Sequence, residues 1–179
     1  MSNFFTWLEG LTASNTKIRA VLRRSLAFDP GTYTEAFPYV EPFLSKEADE
    51  WRRQMYDLTA GLWALGSGSG DRSFVEVLAL REHSRGTKGD PGDLSSTERR
   101  FIALLDADRD QLPHRLRQLI SLVRDSPLDW TGLLGDLMYW NVPRRTVQQK
   151  WARHFYGARK IDLNESSETD ISTLATTQE

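Results

Sequence analysis

Three histidines, His83, His114 and His154, are the side chains best suited to acid–base or metal chemistry in this sequence, and they lie in separate elements, with no His or carboxylate three or four positions after any of them. Helical metal sites need that spacing, so a metal site is not expected. Asp106 and Asp108 could share a divalent cation, but two positions apart on a helix their carboxylates diverge. Gly66-Ser67-Gly68-Ser69-Gly70-Asp71-Arg72-Ser73 resembles a phosphate-binding loop only superficially. Asp71 stands where the second glycine belongs, Arg72 replaces the lysine, and a helical pattern precedes it where a strand is required. It reads as a flexible linker. No G-x-S-x-G elbow occurs, and the absence of cysteine removes thiolate nucleophiles, thiolate zinc sites and disulfides. No catalytic residue and no cofactor is indicated.

The arginines are more informative. They far outnumber the lysines, and a planar guanidinium grips phosphate bidentately and stacks on bases. Arg19 and Arg23 lie four apart on one helical side, where like charges repel unless an anion relieves them, with Lys17 and Arg24 on the other flank. Arg99 and Arg100 open another helix, Arg117 lies on the next, and Arg144, Arg145, Lys150 and Arg153 crowd the last. Periodicity puts Arg153 opposite the Trp151 stripe, in solvent. Two alternatives stand beside phosphate contact: a solvated surface of ion pairs, with Arg99 or Arg100 bridged to Asp108 or Asp129, and a helical protein–protein adaptor whose basic surface meets acidic partners.

The elements that would carry these groups are helices. Apolar residues recur at helical spacing between breakers along the whole chain and strand alternation is almost absent, so the fold class is all-α. Helices are expected at 3–10, from Asn15 to Phe28, and from an N-cap at Ser45 through the seam Trp51, Met55, Leu58, Leu62 and Leu65, with Gly66 closing it. Residues 29–44, with three prolines among Tyr33, Phe37, Tyr39 and Phe43, read as an extended connector pinned by aromatics. A shorter helix carries Phe74, Val77 and Leu78. After a loop at 82–94, Ser95 and Glu98 form a capping box, and three further helices follow, one on Leu112, Leu116 and Leu119, one capped by Asp129, and a last one with Val147, Trp151 and Phe155. The architecture expected is an N-terminal helical region, 1–81, packed on a C-terminal antiparallel four-helix bundle, 95–160. Trp7, Trp51, Trp130 and Trp151 share their apolar stripes, whereas Trp63, Tyr139 and Trp140 fall off them and are candidates for an interface.

The 179 residues suit one domain or two small ones, and no apolar run reaches the roughly 20 residues of a membrane span. The opening MSNFFTWLEGL lacks a basic n-region and carries Glu9, so a cytoplasmic location is expected. Residues 161–179 hold Asp162, Glu165, Glu168, Asp170 and Glu179 without Lys or Arg, which divides the net charge of −2 into −5 there and +3 on residues 1–160. This tail is expected to be disordered.

Residues 97–156, TERRFIALLDADRDQLPHRLRQLISLVRDSPLDWTGLLGDLMYWNVPRRTVQQKWARHFY, resemble the C-terminal half of the CasB family, the small subunit of the type I-E CRISPR complex Cascade. The likeness rests on the succession E-R-R, A-D-R, L-R-x-L-I, L-D-W, a second Trp ten residues on, and an aromatic-ended last helix. Ala20-Val21-Leu22-Arg23-Arg24-Ser25-Leu26 and Ala36-Phe37-Pro38-Tyr39 extend it to about residues 15–157. Two departures stand out: Ser73-Phe74-Val75-Glu76 lacks the glycine often found there, and the acidic tail has no counterpart. The resemblance implies an all-α, non-enzymatic subunit present as a pair in the complex, beside the other Cascade subunits, contacting CRISPR RNA, target DNA and the displaced strand, with no membrane partner. By motif match it assigns nucleic-acid binding to Arg23, Arg24, Arg99, Arg100, Arg109 and Arg117. Lys17, Arg19, Arg144, Arg145, Lys150 and Arg153 are added from periodicity alone.

Overall fold

A computed structural model describes residues 2–84 and 94–157; of the loop expected at 82–94, residues 82–84 are helical instead and 85–93 lie outside the described residues, as does the tail at 161–179. The described residues form helices α1 (Ser2–Ser14), α2 (Thr16–Ser25), α3 (Phe37–Val40), α4 (Glu50–Leu65), α5 (Phe74–Ser84), α6 (Ser96–Leu105), α7 (Leu112–Leu122) and α8 (Trp130–Met138), with α9 at 146–157. No strand is present among them. A single bridge joins Ser69 to Leu128.

Local chemistry starts most of these helices. A side-chain oxygen accepts a backbone N–H of the first turn at Asn15 (from Lys17), Ser95 (from Glu98) and Asp129 (from Gly132), which satisfies donors the helix cannot use itself. The long helix is capped by Asp49, which accepts from Arg52 N at 2.7 Å, and not by Ser45. Ser45 lies outside it because the chain first makes a separate turn, Ala48 N donating to Ser45 O at 3.0 Å. The segment before it, expected to be extended, winds into a 3-10 turn (Thr34–Ala36), α3 and another 3-10 turn (Glu41–Phe43). Pro38 and Pro42 stand at their N1 or N2 positions, where a missing N–H costs nothing.

α4 is the centre of the molecule. Every residue from Met55 to Ala64 is buried, the pattern of a helix enclosed on all sides, and it packs against α2, α3, α7 and α8. α2 runs antiparallel to it: Arg19 reaches Ala64 and Gly66, Ser25 and Leu26 meet Gly61, and Gly31 donates to Asp57. Gly61 permits that approach, since a Cβ there would lie 2.8 Å from Leu26 Cδ2 and 2.9 Å from Ser25 Oγ. The apolar residues on both sides of 85–93 belong to one continuous core, from Phe4 and Leu22 to Trp151 and Phe155.

Indole N–H groups tie distant elements together inside this core. Trp51 donates to Leu137 O (3.1 Å), Trp130 to Gly68 O (2.9 Å), Trp140 to Ala107 O (3.1 Å) and Trp151 to Asp136 Oδ2 (2.7 Å). Two sequence expectations are corrected here. Trp63 and Trp140 are 1% and 2% exposed and belong to the core, because α4 has neighbours on every side and the turn after α8 folds inward onto α6. The glycine-serine segment is also not a flexible linker: Leu128 N and Trp130 Nε1 both donate to Gly68 O, Gly70 N donates to Leu128 O and Asp129 N to Arg72 O. Those bonds hold it against the start of α8.

Candidate nucleic-acid interface

The twelve basic side chains singled out above divide by what their charged ends meet. Lys17, Arg23, Arg24, Arg99, Arg100 and Arg144 are exposed, and none pairs with a carboxylate among the described residues. Arg99 and Arg100 stand just past the cap of α6, and the carboxylates that were their candidate partners are occupied elsewhere: Asp108 accepts from Gln111 N and Asp129 from Gly132 N.

Arg19 behaves differently. Its Nε donates to Ala64 O at 3.2 Å, its Nη2 to Trp63 O at 3.5 Å and to Gly66 O, and its guanidinium lies 5.0 Å from the centroid of the Trp63 ring. It therefore closes the C-terminal end of α4, where carbonyls lack an intrahelical donor. The pairing of Arg19 with Arg23 as two free charges is not what the fold shows. Antiparallel packing brings the open end of α4 to Arg19, whereas Arg23 one turn further on points to solvent.

Four more side chains combine exposure with an internal contact. Arg117 Nη1 donates to Leu26 O at 2.7 Å, joining α7 to the end of α2 that carries Arg23 and Arg24. Arg109 stacks its guanidinium 4.8 Å from the Trp51 ring. Arg145, the one non-glycine with positive φ (50°) among the described residues, bridges to Asp106 at 3.4 Å and donates to Leu105 O. Lys150 bonds both oxygens of Asp136 at 2.8 and 3.0 Å, sharing that carboxylate with Trp151. Arg153 is exposed and meets only Gln149 Oε1 at 3.4 Å.

Arg109 and Arg117 also line one cleft of about 820 Å³, together with Phe28, Arg53, Asp57 and His114. Sequence reasoning had no signal for Asp57, a carboxylate inside an apolar stretch. It is 3% exposed, its Oδ2 accepts from Gly31 N at 3.0 Å, and its Oδ1 has no partner. Burial pushes its pKa upward and the Gly31 N–H pulls it partly back. The remaining titratable groups offer no catalytic cluster: His83 Nδ1 is bonded to Ala79 O and His114 to Gln118, and no metal-binding group of three exists among the described residues. No helix among them is long and apolar enough to cross a membrane.

Fold and surface together define an all-helical protein with a closed core and exposed arginines spread over α2, α6 and the turn before α9. The family model of CRISPR-associated protein Cse2 matches residues 18–156. A Cse2 protein of Thermus thermophilus is 42% identical over 172 residues, covering 93% of this chain and 96% of its own length. The crystal structure of CasB from Thermus thermophilus superposes with a TM-score of 0.75 at 41% identity, covering 87% of this chain and 97% of that one. That of M. ruber CasB gives 0.67 at 36%, covering 84% and 88%. A chain of a CRISPR RNA-guided surveillance complex shares the fold at 19% identity, with a TM-score of 0.72 over 92% of this chain and 96% of its own. The chain belongs to the Cse2 family of CRISPR-associated proteins, also called CasB.

Proposed function

We propose that the protein is the non-catalytic small subunit of a Cascade-type complex in the cytoplasm. It holds CRISPR RNA, the target strand and the displaced strand by their phosphates, beside the other subunits and a second copy of itself. The observation that carries this reading is the set Arg23, Arg24, Arg99 and Arg100, exposed and without a carboxylate partner among the described residues. A cation held in an internal ion pair would have to give that pair up to meet a phosphate, and these four hold none among the described residues. Phosphate contact needs them open, and it carries no base information, which suits a subunit that must accept any guide or target.

The test is the salt dependence of binding to single strands. Log affinity should fall linearly with log salt, and Arg23→Ala with Arg24→Ala should shallow the slope by about 1.4, at roughly 0.7 per phosphate lost on a single strand. Arg99→Ala with Arg100→Ala should act the same way, without base preference. An unaltered slope in both pairs, with assembly into the complex intact, refutes the backbone reading. Capture of acidic proteins with no affinity for either nucleic acid would favour the adaptor.

A further inference from the structure

Tyr139 is the most exposed large hydrophobic side chain among the described residues, at 63%, and its ring and hydroxyl have no partner among them. It does not stand on a loose loop. Tyr139 N donates to Asp136 O (3.0 Å), Val142 N to Tyr139 O (3.2 Å) and Arg145 N to Val142 O (2.9 Å). The next residue, Trp140, is a buried anchor with its indole on Ala107 O and its carbonyl accepting from Gln148 Nε2 at 2.9 Å. Arg145, in its left-handed conformation, clamps the other side of the turn onto Leu105 and Asp106. The turn that carries Tyr139 is therefore held on both sides, with the aromatic ring itself open to water.

The surroundings indicate what covers it. Arg144, five residues on, is exposed with no carboxylate partner among the described residues. Arg109 lies over Trp51, whose indole is bonded to Leu137 O, two residues before Tyr139. The turn after α6, the turn after α8 and the start of α4 thus meet at one end of the molecule, which carries the exposed Tyr139 ring and the guanidinium groups of Arg109 and Arg144. A flat apolar face flanked by cations complements an unpaired nucleotide, which offers a π-face and a phosphate within one residue of chain. We propose that Tyr139 is a stacking platform for one unpaired base of a single strand, with Arg144 and Arg109 receiving the adjoining phosphates. The inference rests on the nucleic-acid reading above and adds a contact that phosphate binding does not need. Stacking is indifferent to base identity, so the site discriminates unpaired from paired strands.

The experiment uses the full chain and a single-stranded DNA oligonucleotide carrying 5-iodouracil. Irradiation should join the base to the peptide containing Tyr139. Tyr139→Ala should weaken single-strand binding fivefold or more, from roughly 1–3 kcal/mol per stacked base, with the melting temperature and salt slope unchanged, because the ring is exposed and neutralises no phosphate. Tyr139→Phe should bind like the wild type, and duplex binding should be indifferent to both changes. Wild-type single-strand affinity in Tyr139→Ala overturns the inference, as does an equal loss in Tyr139→Phe, which would point to the hydroxyl. Intact strand binding with failed assembly overturns it in favour of a protein contact. The Arg23/Arg24 pair keeps the two readings separable: a shallower slope in that variant beside wild-type behaviour of Tyr139→Ala sinks the platform and leaves the backbone reading standing.

Discussion

Replacing Arg19 by Ala separates a structural arginine from a nucleic-acid arginine on the same helix. The substitution leaves the carbonyls of Trp63, Ala64 and Gly66 without the guanidinium donor and uncovers one face of the buried Trp63 ring. A hydrogen bond to a charged group contributes about 1.5–3 kcal/mol net, a cation at a helix C-terminus about 0.3–1, and a partly exposed cation–π contact about 0.5–1. These contributions overlap because one guanidinium makes them all, and water reaches part of the vacated site, so the expected loss is about 2 kcal/mol. At roughly 2–4 °C per kcal/mol for a chain of this size, the melting temperature should fall by about 4–8 °C, read by circular dichroism. Arg19→Lys, which keeps the charge but not the fork, should fall between. Arg23→Ala should melt like the wild type, since its end meets only solvent. Below the transition, Arg19→Ala should keep the wild-type salt slope for single-strand binding. A melting temperature within about 1 °C of wild type, together with a slope shallower by about 0.7, would refute the capping assignment and return Arg19 to the phosphate-binding set.

Two other perturbations test the packing that positions these surfaces. Gly61→Val should destabilise the protein by about 1–3 kcal/mol through overpacking of α2 on α4, with Ser25 and Leu26 in the way. Gly10→Ala, at a helix position with open space around it, should instead stabilise by about 0.5–1 kcal/mol, and the two are compared by urea unfolding. Asp57 sets a pH dependence. Burial raises its folded pKa above the unfolded value, so between the two the folded chain binds more protons and its stability rises as pH falls, levelling off below the unfolded value near roughly 3.9. Asp57→Asn should lose that dependence, so the wild type gains on the variant as pH falls from about 7 to 4; a constant difference between their urea midpoints over that range would show that the carboxyl is not perturbed.

Features that depend on neighbours in sequence were open to reading from the residues. The capping serine and aspartate at Ser95 and Asp129 act within one turn of their own position, and the stripes of α6 through α9 follow from helical spacing, which acts over the same short range. The order of short motifs along residues 15–157 likewise needed no coordinates to point to the family.

What the arginines do was decided elsewhere. Periodicity assigns a residue to a side of its helix and is silent about what stands opposite. Arg19 and Arg23 are equivalent along α2, and only the antiparallel lie of α4 gives one a helix end and the other water. Lys150 finds Asp136 across the turn after α8, Arg145 finds Asp106 from 39 positions away, and Arg117 finds Leu26 O from 91 positions away. Trp63 and Trp140 look idle on a helical wheel because a wheel assumes one buried face, whereas α4 is enclosed all round and the turn after α8 folds back onto Ala107. Local chemistry determined the helices of this protein, and their packing selected which cations remain free to meet a phosphate, because a charge is left open only where the folded chain brings no acceptor within reach.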